Sequence, residues 1–271
     1  MDYLIVCAAA LVVAALTLYS GFGVGTLLMP VFAIFFPVPV AIAATAVVHL
    51  ANNLFKLLLV GRHAEWRVVA LFAVPAVIAA PIGSWVLLSF AELPALATYT
   101  VGSVSREVSP VKLVVGLLIV GFALLDLVPR LRSLTIAQER RRWVLPLGGV
   151  LSGFFGGLSG HQGALRSAFL IKIGLGRDAY IGTAAVSAVL VDLSRLGVYT
   201  YGILLAGSRQ KQVGIGGEDH LMGLVLAASA AAFVGTFAAA RLRTKVTIGA
   251  VQTIVGVMLV GVGIALAIGV A

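Results

Sequence analysis

The chain has 271 residues, 61% of them hydrophobic and 11% charged, with a mean hydropathy of +1.12. A soluble domain carries about 45–50% apolar and about 25% charged residues, so this chain has too few polar side chains to coat a globule, and a polytopic membrane protein is expected. The net charge of +9 reads as Lys and Arg retained in cytoplasmic loops rather than as nucleic-acid binding, and the single cysteine, Cys7, excludes an internal disulfide and a cysteine metal site.

Apolar runs bounded by charge or by Pro and Gly cover residues 3–19, 26–36, 40–60, 68–90, 111–128, 143–158, 164–174, 179–201, 221–240 and 249–269. Most approach the ~20 residues that cross a bilayer at ~1.5 Å per residue. The runs at 26–36 and 164–174 have only 11 residues each and cannot span alone. Each follows a glycine-rich break, SGFGVG from Ser20 to Gly25 and SGHQG from Ser159 to Gly163, and each ends at a second breaker. Such a pattern describes a discontinuous helix or a re-entrant hairpin. The first run has no basic flank and no small-residue cleavage site, which reads as mature structure rather than a signal peptide.

A shift of 139 residues sets Ser20-Gly21 on Ser159-Gly160, Asn53 on Asp192 and Lys56 on Arg195. A shift of 152 sets Gly83 on Gly235, and a shift of 140 sets Gly116 on Gly256. The same order of features in both halves implies a duplication, with residues 1–128 as first repeat, 129–142 as basic linker and 143–271 as second repeat. Three long spans plus one broken pair give each half an odd number of crossings, so the repeats are expected to be inverted. Charge agrees: Arg62, Arg67, Arg130, Arg132, Arg140, Arg141, Arg142, Arg177, Arg241, Arg243 and Lys245 lie on one side, and only Arg106, Arg209 and Lys211 on the other. The basic side is the cytoplasmic one, which puts both termini outside.

Inverted repeats with broken helices point to secondary transport, with a substrate site near the midplane. Freed N–H groups at the starts of the short helices, near Gly25-Thr26 and Gly163-Ala164, favour an anion, and the glycines Gly21, Gly23, Gly25, Gly160 and Gly163 let it approach the backbone. Ser20, Thr26, Ser159, His161 and Gln162 offer further donors, and close helix packing is the competing role for the glycines. Among polar residues inside spans, His49, Asn53 and Lys56 share one helix and Asp192 and Arg195 its repeat mate. Asp192–Arg195, three apart, reads first as an internal ion pair, and Lys56 has snorkelling to the interface as an equal reading. Arg166 is expected to be the main cationic contact, because a cation near a helix N-terminus gains nothing from the dipole and is rationalised by a buried anion. His49 and His161 are candidates for a coupling proton. There is no HExxH, no GxSxG and no paired carboxylates at helical spacing, so no enzyme, no metal and no cofactor are expected; an anion channel and a membrane-embedded enzyme are the alternatives.

The break Ser20-Gly21-Phe22-Gly23-Val24-Gly25 followed by Leu27-Leu28-Met29-Pro30, its degenerate copy Ser159-Gly160-His161-Gln162-Gly163, and the duplicated plan resemble the TauE/SafE sulfite exporter family over essentially the whole chain. The resemblance implies transport of a small sulfur-containing anion, sulfite or an organosulfonate, across the cytoplasmic membrane. It maps the family's paired glycine-rich loops onto residues 20–26 and 159–164, the second departing from the pattern at His161-Gln162 and at nearby Arg166. The expected architecture is therefore an all-α polytopic membrane protein of two inverted repeats. Its partners would be a small anionic substrate, the lipid bilayer, and a coupling proton or cation.

Overall fold

A computed structural model describes residues 1–20, 24–102, 104–127, 143–207, 217–242 and 248–270. Among these residues the ten apolar runs become ten helices, with ends shifted by a few residues. In chain order they are α1 (Asp2–Ser20), α2 (Val24–Ala33), α3 (Val38–Val60), α4 (Trp66–Ala91), α5 (Pro110–Leu127), α6 (Val144–Ser159), α7 (Gln162–Leu170), α8 (Arg177–Gly207), α9 (Gly217–Leu242) and α10 (Ile248–Ala267). The stretches Val38–His63, Trp66–Ala91, Arg177–Gly202 and Asp219–Arg241 are long and apolar enough to cross a membrane. Many large apolar side chains point outward, among them Leu58, Ile78, Ile82, Trp85, Leu193 and Val234, as expected where lipid is the solvent. The expected basic linker at 129–142, and Arg209, Lys211, Arg243 and Lys245, lie outside the described residues.

Glycine fixes how the long helices pair. On α6, Gly149, Gly153 and Gly157 recur every four residues and so form one stripe. A Cβ at these positions would lie 2.1 Å from the carbonyl oxygens of Phe72, Ala76 and Ala80 of α4 respectively, so the two backbones touch directly. The residue numbers rise together, hence α4 and α6 run parallel. In the same way Gly235 of α9 sits against Leu11 and Ala15 of α1, and Tyr3 at the start of α1 reaches His220 at the start of α9, so this pair is also parallel. By contrast α5 and α10 are antiparallel, with Gly116 against Gly263 and Gly256 against Leu127. So are α3 and α8, where Gly182 meets Val60 and His49 meets Asp192.

Helix α7 begins at a break, while residues 21–23 ahead of α2 lie outside the described residues. Helix α6 ends at Gly160, whose φ of 80° is left-handed and whose N–H caps the Gly156 carbonyl. Two residues later α7 starts, and it packs against α6, α8 and α2. Helix α2 returns to Pro37, which sets the extended turn into α3 (φ −54°, ψ 146°).

One element was not expected. The connection between α4 and α5, which reads as loop from hydropathy, contains an antiparallel hairpin of β1 (Ala97–Val101) and β2 (Val104–Val108). Its signal lies in the β-branched and aromatic run Thr98-Tyr99-Thr100-Val101 ahead of Gly102, which turns at φ 64°. The hairpin is fastened to the end of α10: Arg106 Nη1 donates to the Val270 carbonyl at 2.7 Å, Tyr99 donates to the Ile268 carbonyl, and Gly269 leaves no room for a Cβ beside Glu107.

Candidate functional site

Asp192 sits near the middle of α8, fully buried, and four side-chain contacts converge on its carboxylate. His49 Nδ1, from the middle of α3, donates to Oδ2 at 2.6 Å. On Oδ1, Gln162 Nε2 donates at 2.7 Å, Arg195 Nη2 at 2.7 Å and Arg195 Nε at 3.0 Å. An ionised carboxylate away from water needs this degree of compensation, and a guanidinium one helical turn away supplies both charge and two N–H groups. The expected Asp192–Arg195 ion pair is therefore present. Arg195 also donates through Nη1 to the Gly156 carbonyl at 2.9 Å, and Tyr199 on the same helix donates to the Gly157 carbonyl, which ties α8 to the last turn of α6.

The starts of the two short helices meet at this cluster. A Cβ on Gly25, at the start of α2, would lie 3.3 Å from the Gly160 carbonyl and 3.6 Å from the His49 ring, so the tip of α2, the break before α7 and the middle of α3 are in contact. Gln162 is the first residue of α7, and its backbone carbonyl accepts from Ser152 at 2.9 Å. The carboxylate of Asp192 thus lies at the positive end of α7, where a negative charge is favoured. The freed N–H groups at this helix end were expected to favour an anion, and the protein's own acid lies beside them.

The other expected site residues divide into three groups. Asn53 turns to His49 one turn back, donating to its carbonyl at 2.8 Å and lying 3.1 Å from both ring nitrogens. Ser159 donates to the Phe155 carbonyl of its own helix, while His161 Nδ1 donates to the Ser159 carbonyl at 2.8 Å and its ring stacks on Phe122. His161 Nε2 is buried without a hydrogen-bond partner. Gly160 and Gly163 are in place at the break, whereas Gly21, Gly23 and the side chains of Ser20 and Thr26 lie outside what the structure describes.

Arg166 and Lys56 form the second half of the site. Helix α7 starts at Gln162, two residues earlier than the apolar run suggested, so Arg166 lies one full turn above Gln162 on the same face. It is 5% exposed; Nη1 donates to Gln162 Oε1 at a long 3.4 Å, and Nε is buried with no hydrogen-bond partner. Lys56, on α3, is 8% exposed and packed inside rather than snorkelled outward. The two cations act on each other electrostatically. Lys56 makes no ion pair among the described residues. Burying two like charges together is costly in a low-dielectric interior unless an anion lies between them.

Three buried cations, Lys56, Arg166 and Arg195, thus stand against one buried carboxylate, Asp192, which Arg195 contacts directly and Arg166 reaches through Gln162. No cluster of side chains able to hold a metal ion occurs among the described residues. The family model described as Sulfite exporter TauE/SafE matches residues 6–266. The chain belongs to the sulfite exporter TauE/SafE family. It is accordingly a membrane protein of a transporter family, as the resemblance in its glycine breaks implied. No curated protein and no solved structure matches the chain. For this TauE/SafE member the residues of interest are thus those that its own geometry brings together. Two of them, Gln162 as the bridge between Asp192 and Arg166 and Tyr199 as a tie to α6, were respectively underrated and missed in sequence. Gln162 reads there only as one more donor, and Tyr199 carries no local signal because its partner is a backbone carbonyl on another helix.

Proposed function

We propose that this protein is a secondary transporter that carries a small sulfur-containing oxyanion, of the sulfite or organosulfonate class, across the cytoplasmic membrane. The observation that carries the reading is the presence of two buried cations, Lys56 without an ion pair among the described residues and Arg166 with an unpartnered Nε, on helices whose neighbours bring the starts of the two short helices together. The surplus of cations over the single carboxylate suits an anion, and a planar guanidinium suits the oxygens of a sulfur oxyanion.

Alternating access is the mechanism we favour. Exchange each helix for its mate in the other half and the packing maps onto itself: the parallel pair α1 with α9 becomes α6 with α4, while α3 with α8 and α5 with α10 are each their own counterpart. Antiparallel self-pairs and parallel cross-pairs are what an in-plane two-fold axis between inverted repeats produces, and they support the division at the basic linker, with both termini on one side of the membrane; the charge rule makes that side the outer one. Transport then rocks one half against the other around the anion.

The test is a thermal-shift screen of the detergent-purified protein against sulfite, sulfate, thiosulfate, methanesulfonate and acetate, followed by uptake into proteoliposomes. A sulfur oxyanion should stabilise the protein and enter by saturable flux with counterflow. Removing the Arg166 side chain forfeits a charge-assisted contact of about 1.5–3 kcal/mol, so Arg166→Ala should weaken binding roughly 10- to 150-fold. Unchanged affinity in a folded Arg166→Ala protein, or currents far above carrier turnover, would overturn the reading.

A further inference from the structure

The anion contact and the buried His49–Asp192 pair are joined by one side chain. Gln162 donates from Nε2 to Asp192 Oδ1 at 2.7 Å and accepts at Oε1 from Arg166 Nη1 at 3.4 Å. We infer that His49 with Asp192 is a proton site, and that Gln162 links it to the anion held by Arg166, so that one proton and one anion bind together and cross together. The inference rests on the anion reading above and names its coupling ion.

The geometry selects His49 over the other candidate. His161 faces a backbone carbonyl and an aromatic ring, and among the described residues no carboxylate bonds to it. His49 has an ionised carboxylate at 2.6 Å, so its Nδ1 hydrogen is committed to Asp192, and an arriving proton forms its new N–H bond at Nε2. The ring becomes an imidazolium, Asp192 remains the acceptor, and on release the proton returns to water. The charged groups that face His49 are Asp192 and Arg195 from α8 and Arg166 from α7, with Lys56 two turns further along its own helix. Among the described residues helix α2 brings the Gly25 backbone to the ring, and α9 reaches α3 through Thr236, which donates to Asn52. One carboxylate favours the protonated ring, and two guanidinium groups oppose it.

An anion changes that balance. By neutralising Arg166 it removes one of the opposing charges, and by taking over Nη1 it replaces the long contact to Gln162 and frees that amide to loosen from Asp192. The carboxylate then turns more of its charge to His49. Each ligand therefore favours the other, and thermodynamic linkage makes the effect reciprocal. Among the described residues no cluster of His, Cys, Asp or Glu able to hold a metal ion joins Asp192, whose carboxylate already accepts four N–H contacts, so a proton rather than sodium suits this site.

The probe is methanesulfonate, which stays a monoanion where histidine titrates, with sulfite run beside it. On the full-length protein in detergent, binding should tighten by up to about tenfold per pH unit as pH falls toward the range in which the His49 ring takes up its proton, with close to one proton taken up per anion in titration calorimetry run in two buffers. In Gln162→Leu the slope of log Kd against pH should drop from about one to near zero. In pyranine-loaded proteoliposomes, inward anion flux should acidify the lumen and should not require sodium. Anion binding with no proton uptake, or with a sodium requirement, overturns the coupling and leaves the anion reading intact. Proton uptake that persists unchanged in Gln162→Leu overturns the role of Gln162. If neither probe nor any other sulfur oxyanion binds, the anion reading itself fails. The wild-type measurements decide the coupling even where a variant does not fold.

Discussion

Replacing Gly153 by alanine tests the packing on which the site depends. The added Cβ would lie 2.1 Å from the Ala76 carbonyl oxygen and 2.7 Å from the carbon behind it, whereas ordinary contact begins at 3.4 Å. The difference is 1.3 Å of separation that α4 and α6 must find, and no side-chain rotation supplies it because the opposing atoms are backbone. Gly149 and Gly157, one turn away on either side, sit equally close, so a local bulge cannot relieve the contact without lifting the whole stripe. Overpacking of this kind costs about 1–3 kcal/mol, against a gain of at most about 1 kcal/mol from alanine's better helix propensity. The same displacement would move the Gly156 and Gly157 carbonyls that hold Arg195 and Tyr199, and Ser152, which holds Gln162. Gly153→Ala should therefore both lower the unfolding midpoint in detergent and weaken oxyanion binding. Gly121→Ala and Gly197→Ala are the controls, because a Cβ at either position meets nothing within 4 Å; both should be as stable as the parent or slightly more so. A Gly153→Ala protein that melts and binds like the parent would refute the argument that bare backbone contact aligns these helices.

Arg195→Met should destabilise the protein by about 3–5 kcal/mol, since it leaves Asp192 charged and buried with only His49 and Gln162; Asp192→Asn in the same chain should recover much of that loss, and a double-mutant cycle without coupling would count against the ion pair. Arg106→Ala removes one exposed hydrogen bond to the Val270 carbonyl, so it should cost under about 1 kcal/mol while making the C-terminal segment easier to cleave by protease; unchanged cleavage would mean that the hairpin does not fasten it.

Much of the architecture was legible in the chain. Apolar runs and glycine breaks located every described helix, because in hydrocarbon each backbone group must be satisfied within its own segment and hydropathy then reports segments directly. The spacing of three between Asp192 and Arg195 foretold their ion pair, since one helical turn brings them together whatever the fold. Arg166 stood out for the same local reason: a cation in the first turns of a helix is disfavoured there.

Contacts between helices were not legible. Nothing near His49 in sequence indicates Asp192, which is 143 positions away, and nothing near Lys56 indicates Arg166. The hairpin escaped for a related reason, as its strands are held by each other and by the end of α10, not by a hydrophobic face of their own. By itself, then, the sequence determined the class, the helices, the breaks and the set of polar residues kept inside spans, all properties of one segment in its solvent. Which of those residues share a charge, which are occupied with their own backbone, and that Gln162 stands between an acid and a cation were decided only when glycine stripes brought the helices to backbone contact, because those pairings depend on distances that no local pattern encodes.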